Sequence, residues 1–198
     1  MSDAYLASAA GAVLRRYFTK APWQLPVNIE LLAEHLFDLV ISWETLADEE
    51  GALTLGGVRP RTRQLVLNDL ARDFFEKNAG SENFTKAHEV AHIMLHIAEE
   101  PGVEPLFPEV LGPPPIVCTS ALKRPPREWQ ADRCAAYLLM PEDLLRAECM
   151  TRELDAWRPM YDLSRFLGVS ISALCIRLQE LKLVQIDGRE ITSLQAKH

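Results

Sequence analysis

The sequence predicts an α+β protein in which a small sheet precedes a histidine-bearing helix, with further helices after it. Three observations carry this. Apolar residues recur at helical spacing in several separate segments, short β-branched runs cluster between residues 39 and 67, and two polar constellations, KAHEVAHIMLH at 86–96 and EWQADRCAAYLLMP at 128–141, both fall on helical patterns.

A first helix is expected from Ala4 to Phe18, where Leu6, Ala10, Leu14 and Phe18 share a face, and a second starts at the cap Asn28 and runs through Leu32 and Leu36. Strand character follows in Leu39-Val40-Ile41, in the run Gly51 to Val58 and in Arg63 to Leu67, the last two separated by a turn at Pro60. The Arg63–Leu67 strand, just before the histidines, is the expected edge for docking an extended chain by strand addition. From Glu100 to Pro126 the chain carries eight of its thirteen prolines, including Pro113-Pro114-Pro115, which excludes regular structure over most of that stretch. A loop this long in a compact chain is usually functional or mobile. Helical pattern returns from Arg127 to Leu139, is punctuated by Met140-Pro141, and resumes at Glu142. Met160 to Gln185 reads as two helices joined at Gly168-Val169, with Ser170 capping the second and Leu174, Leu178 and Leu181 on its inner face. This is a helix-turn-helix-like segment, and its leucines, with Leu163, Phe166 and Leu167, are numerous enough to anchor it on the rest of the protein.

The 198 residues suit one well-packed domain with a small appendage, and 48% hydrophobic and 25% charged residues are ordinary values for a soluble protein. A net charge of -7 repels phosphate, so nucleic-acid binding would need a local basic stripe. Between Thr151 and Thr192 six bases, of which Arg165 and Arg177 are the most plausible phosphate contacts, are cancelled by six acids. Nucleic acid is therefore not an expected partner. The opening MSDAYLAS carries an acid where a signal peptide wants a base, and no uncharged run approaches the roughly 20 residues of a membrane span, so a cytoplasmic location without membrane contact is expected. Cys118, Cys134, Cys149 and Cys175 never form a C-x-x-C pair and read as ordinary thiols in a reducing compartment.

His88 and His92 are four apart, which on a helix stacks both imidazoles on one face within reach of a single ion. Glu89 projects beside them, where a carboxylate can take a proton from a water on the ion. Histidines that merely hydrogen-bond to backbone or water remain the alternative at this point. Zinc needs a third protein ligand and an open position. Glu128 and Asp132, also four apart, are placed to supply it: Glu128 as ligand, Asp132 as acceptor of the remaining ring N–H of a ligating histidine. His96, one turn beyond His92, reads as cleft lining, because three ligands from one straight helix cannot close around an ion. His35 and His198 read as solvent-exposed.

The two constellations together resemble the ImmA/IrrE family of metallopeptidases, itself similar to a reduced thermolysin-type zincin. The family pattern FTxAHExxH is matched by Phe84-Thr85-Lys86-Ala87-His88-Glu89 and His92, and the pattern ExxA(N/D)xFA running into LLMP by Glu128, Ala131, Asp132, Ala135 and Leu138-Leu139-Met140-Pro141. LPVNIELLAEHL, and LVLN at Leu65 to Asn68, extend the resemblance over most of residues 25 to 185. It departs at Gln130, Cys134 and Ala91, where the family has glutamate, phenylalanine and glycine; none of these removes a ligand, although Cys134 raises the question of a thiolate near the metal. The resemblance implies a zincin-like metallopeptidase domain over residues 1–150, with 151–198 as a helix-turn-helix-like segment packed on it. It further implies zinc held by His88, His92 and Glu128, and Glu89 as general base. The implied substrate is a specific regulatory protein, typically a helix-turn-helix repressor encoded nearby, which would tie the chain to transcription regulation and stress response. The alternative reading is a DNA-binding or protein-binding transcriptional regulator with a structural metal site.

Overall fold

A computed structural model describes residues 1–47, 53–96 and 126–194, and within them the chain is α+β. Most of the proline-rich stretch, Cys118, His198 and the start of the run from Gly51 lie outside the described residues.

Helices α1 (Asp3–Tyr17) and α2 (Ile29–Phe37) begin at side-chain caps. Ser2 Oγ accepts from the Tyr5 amide at 3.3 Å, and Asn28 Oδ1 accepts from the Leu31 amide at 3.0 Å, each satisfying an amide that the first turn leaves without a partner. Three strands follow: β1 (Val40–Glu44), β2 (Gly56–Arg59) and β3 (Gln64–Asn68). They lie in the order β1-β3-β2, with β3 parallel to β1 and antiparallel to β2. A 3-10 turn over Pro60–Thr62, closed by Arg63 in the left-handed region at φ 54, returns β2 into β3.

The strand expected to be an edge is thus the centre of this sheet. Its physical signature is the continuous buried run Leu65-Val66-Leu67-Asn68, characteristic of a strand covered on both faces rather than of an alternating half-exposed edge. Among the described residues the edges are β1, whose Val40 is 63% exposed, and β2. Buried Asn68 closes the sheet. It accepts from the amides of Leu46 (3.0 Å) and Leu70 (3.1 Å) and donates to the carbonyls of Leu46 (3.2 Å) and Thr54 (2.7 Å), which fixes the chain entering and leaving the edge strands.

Beyond the short α3 (Arg72–Lys77) come the two central helices, α4 (Ser81–His96) and α5 (Pro126–Leu139). They run antiparallel, since His88 meets Asp132 and His92 meets Glu128. Lys86 of α4 is buried and bonded to Glu30 of α2 and Glu82 one turn back, a lock that the sequence reading missed although Glu82 sits at the i−4 position that announces it.

The C-terminal part comprises α6 (Glu142–Met150), α7 (Trp157–Leu167), α8 (Ile171–Glu180) and a hairpin of β4 (Val184–Asp187) and β5 (Glu190–Ser193). One apolar cluster runs from Leu6 of α1 to Ile191 of β5, so α7 and α8 share the core of the helices before them. Leu163, Leu167, Leu174, Leu178 and Leu181 are buried as expected, while Phe166 is 38% exposed and lies outside that anchor. Each fully buried leucine contributes roughly 1.5–3 kcal/mol, so together they hold the pair on the body by several kcal/mol. The turn between α7 and α8 sits on the start of α4: Asn83 Nδ2 donates to the Gly168 carbonyl at 3.1 Å, and an added Cβ at Gly80 would lie 2.4 Å from the Val169 carbonyl carbon.

Arg177 corrects the charge reading. Counted as a phosphate contact, it is only 7% exposed, its Nε donates to the Met140 carbonyl at 3.3 Å, and its guanidinium lies 4.6 Å from the Tyr137 ring centroid. The long aliphatic stem makes burial of an arginine economical when its head finds a carbonyl and an aromatic face. No described helix is long and apolar enough to cross a membrane.

Candidate metal centre

The centre forms where two i,i+4 pairs face each other across the α4–α5 groove. Val90, Ala91, Ile93 and Met94 bury one side of α4, which leaves His88 and His92 on the side facing α5. From α5, Glu128 and Asp132 project back toward them.

The resulting geometry is tight. His88 Nε2 lies 3.0 Å from His92 Nε2 and 3.1 Å from Glu128 Oε2, and His92 Nε2 lies 3.3 Å from Glu128 Oε1. An ion bound tetrahedrally at about 2.0–2.1 Å sets its ligand atoms about 3.3 Å apart, so these three side chains fit zinc-type coordination within a few tenths of an ångström. Among the described residues they are the group of three that can hold a metal ion. His88 Nδ1 donates to Asp132 Oδ1 at 2.9 Å, which leaves the Nε2 lone pair facing the centre.

Electrostatics agree with the geometry. Burial pulls the His88 pKa down, but the hydrogen bond to Asp132 and the charges of Glu89, Asp132 and Glu128 outweigh it and raise the value above the ordinary one. Three carboxylates around one imidazole favour positive charge there, whether a proton or a cation. Burial, reinforced by the His88 charge, pushes His92 down to about 4, which keeps it in the neutral form that ligates. With protein groups alone, burial pushes the Glu89 carboxyl up to about 7; His88 offsets part of this and Glu128 adds to it.

All five residues expected from the sequence, His88, Glu89, His92, Glu128 and Asp132, come together here. His96 is buried beyond His92, with ring centroids 5.4 Å apart, and is not among the converging donors. Cys134 is fully buried, which pushes its thiol up to about 12, so it is a neutral core group rather than a thiolate near the centre. Cys149 is likewise buried and Cys175 half-buried. His35 is exposed, as expected.

Replacing Asp132 by Asn keeps the size but removes the carboxylate that orients His88. Divalent-metal affinity, read by chelator competition, is expected to fall about 10- to 100-fold without a matching loss of thermal stability. An affinity within twofold of the unsubstituted protein would remove Asp132 from this role.

A family model described as the IrrE N-terminal-like domain of peptidase M78 matches residues 53–179. No curated protein matches the chain significantly. Among solved structures, a Mycobacterium tuberculosis transcriptional regulator is similar with a TM-score of 0.50 and 15% identity, over 91% of this chain and 48% of that one. At that identity the likeness is one of fold, and the chain spans about half the length of that regulator. The family match takes in more than half of the chain, from the second strand to the helix after Gly168, and includes both halves of the centre; the chain belongs to the peptidase M78 family, the ImmA/IrrE group.

Proposed function

We propose that the chain is a zinc-dependent endopeptidase of zincin-like design that acts in the cytoplasm on a specific regulatory protein, a helix-turn-helix repressor. The observation that carries this reading is the convergence of His88, His92 and Glu128 within hydrogen-bond distances of one another, with buried Glu89 beside them.

His88, His92 and Glu128 would hold the ion. When bound, it supplies Lewis acidity, polarising a peptide carbonyl and making water more acidic. Glu89 takes the proton of the attacking water on its carboxylate and passes it to the departing amine. Asp132 keeps His88 in the tautomer that presents Nε2, and so fixes the ring's orientation. An extended peptide reaches these groups along β2, the edge strand beside α4, where Gly56 packs against Thr85.

Protein purified without added metal is expected to hold one zinc per chain by elemental analysis, and His92→Ala to lose most of it. Full occupancy in that variant would sink the assignment.

One observation favours a second reading, in which the chain is a DNA-binding regulator: α7, α8 and the β4–β5 hairpin follow one another as helix, turn, helix and wing. Against it stand the buried Arg177, the seating of the α7–α8 turn on α4, and six acids in the same segment. Specific DNA affinity at physiological salt needs several uncancelled bases on one face. Promoter fragments are accordingly expected to show no sequence-specific shift. A specific complex, lost in Arg158→Ala/Arg165→Ala while cleavage persists, would favour the regulator instead.

A further inference from the structure

An open cleft of about 320 Å³ lies between α4, α5 and α8. Half of its lining is charged, with Asp132 and Arg133 from α5 and Arg177 and Glu180 from α8; the other half is apolar, with Phe84, Ala136, Ala173 and Ile176. None of His88, Glu89, His92 and Glu128 is among the described residues that line it. Only Asp132 links the cleft to the metal centre, and that carboxylate is bonded to His88.

The charged groups are unequally matched. Arg133 donates to both oxygens of Asp3, at 3.0 and 2.9 Å, and is bonded to Glu180 and to the Tyr137 hydroxyl; the bond to Asp3, with that to Glu180, holds its pKa above the ordinary arginine value. Glu180 is thereby committed to Arg133. Arg177 has far less. Its side chain is only 9% exposed, its Nε donates to the Met140 carbonyl at 3.3 Å, and Glu180 Oε2 stands 3.7 Å from its Nη1, beyond hydrogen-bond length. Among the described residues its Nη1 and Nη2 groups make no hydrogen bond, so a nearly buried guanidinium brings open N–H donors to a cleft that it lines. Burial pulls the Arg177 pKa below its ordinary value, and the charges of Tyr137, Glu180 and Glu142 offset only part of this.

A guanidinium taken out of water is costly until its donors find acceptors. A carboxylate supplies two acceptor oxygens that match the planar fork, together with the counter-charge that Glu180 shares with Arg133. The apolar half of the lining rewards an apolar body attached to that carboxylate. The volume stands at the lower end for ligand pockets and suits a molecule of one ring or one short branched chain.

We propose that this cleft is a binding site for a small monocarboxylic acid, its carboxylate paired with the Nη groups of Arg177 and its apolar body lying against Phe84, Ala136, Ala173 and Ile176. The inference stands apart from the peptidase reading, because it uses no metal ligand and no step of the cleavage. Phenylacetate, phenylacetamide and acetate are titrated into the full-length protein while the methyl resonances of Ala136, Ala173 and Ile176 are followed. Phenylacetate is expected to shift all three saturably and to bind about tenfold or more tighter than the amide, which lacks the charge, and than acetate, which lacks the apolar body. Arg177→Met, which keeps the stem and removes the donors, is expected to weaken the acid about tenfold or more and to leave the amide unchanged. Glu180→Gln removes the carboxylate that competes for Arg177 while Asp3 still holds Arg133, and it is expected to tighten the acid about threefold or more without tightening the amide. Thermal melts check that each variant folds. Absence of saturable shifts, equal binding of acid and amide, or undiminished acid binding in folded Arg177→Met would overturn the site; the last would place the acid on the metal or elsewhere. If Arg177→Met does not fold, Glu180→Gln decides: tighter acid binding supports the site, and unchanged or weaker binding overturns it.

Discussion

Glu89→Gln is expected to lower peptide cleavage by about 10²- to 10⁴-fold while leaving the fold and the metal content in place. Glutamine has the shape of glutamate but cannot accept a proton from water, so the loss falls on proton transfer alone. Glu89 is 8% exposed and feels the charges of His88 and Glu128, and glutamine, being of the same size, needs no new space there. The converging donors belong to His88, His92 and Glu128, and none is touched. Turnover on a cleaved partner protein, elemental analysis and a thermal melt on one preparation separate the possibilities. Turnover close to that of the unsubstituted protein would show that another group takes the proton. Parallel loss of zinc and turnover would show instead that Glu89 acts through the metal's affinity, and the base role would fall.

The centre was legible because its geometry is local twice over. His88 and His92, and separately Glu128 and Asp132, declare themselves by i,i+4 spacing on apolar helices, and only the meeting of the two pairs is long-range. Helix starts at Asn28 and Ser170 were legible for the same reason, since capping is decided within four residues. Strand order was not. Whether Leu65-Val66-Leu67 lies at an edge depends on what pairs with it, and β1 and β2, both earlier in the chain, pair with it on opposite sides of the sheet, one parallel and one antiparallel. The buried run is consistent with a central strand, but periodicity alone does not separate that from a short buried helix segment. The β4–β5 hairpin had a signal that went unread: Asp187-Gly188 between the alternating apolar residues Val184, Ile186 and Ile191, with Gly188 in the left-handed conformation its tight loop requires. Charge counting failed at Arg177 because a tally treats every arginine as solvated, whereas this one packs on Tyr137 beneath α8.

The largest stability effect is expected at Gly80, where the start of α4 receives the α7–α8 turn. Gly80 has φ +84, a left-handed conformation costing an L-residue roughly 1–2 kcal/mol. A Cβ there would also lie 2.4 Å from the Val169 carbonyl carbon, 2.6 Å from its Cα and 2.8 Å from the Ser170 amide nitrogen. These are backbone atoms at a helix start whose Ser170 Oγ accepts from the Ala173 amide at 3.2 Å, so they cannot yield without opening the turn or breaking that cap. Strain and overpacking together point to a loss of about 3 kcal/mol or more for Gly80→Ala. At roughly 2–4 °C per kcal/mol for a chain of this size, the melting temperature should fall by about 6–12 °C. Two companion variants isolate the cause. Gly188→Ala carries the same kind of strain, at φ +58, with open space around it, and should lose only the conformational part, about 1–2 kcal/mol. Gly57→Ala has neither positive φ nor a neighbour within 4 Å, and should be close to neutral. If Gly80→Ala melts no lower than Gly188→Ala, the turn is not seated on α4, and the first residues of α8 are free to approach a partner. If the three variants fall in the predicted order, the beginning of α8 is held against the helix that carries His88 and His92. Whatever binds the exposed remainder of the segment must then do so without entering through that end.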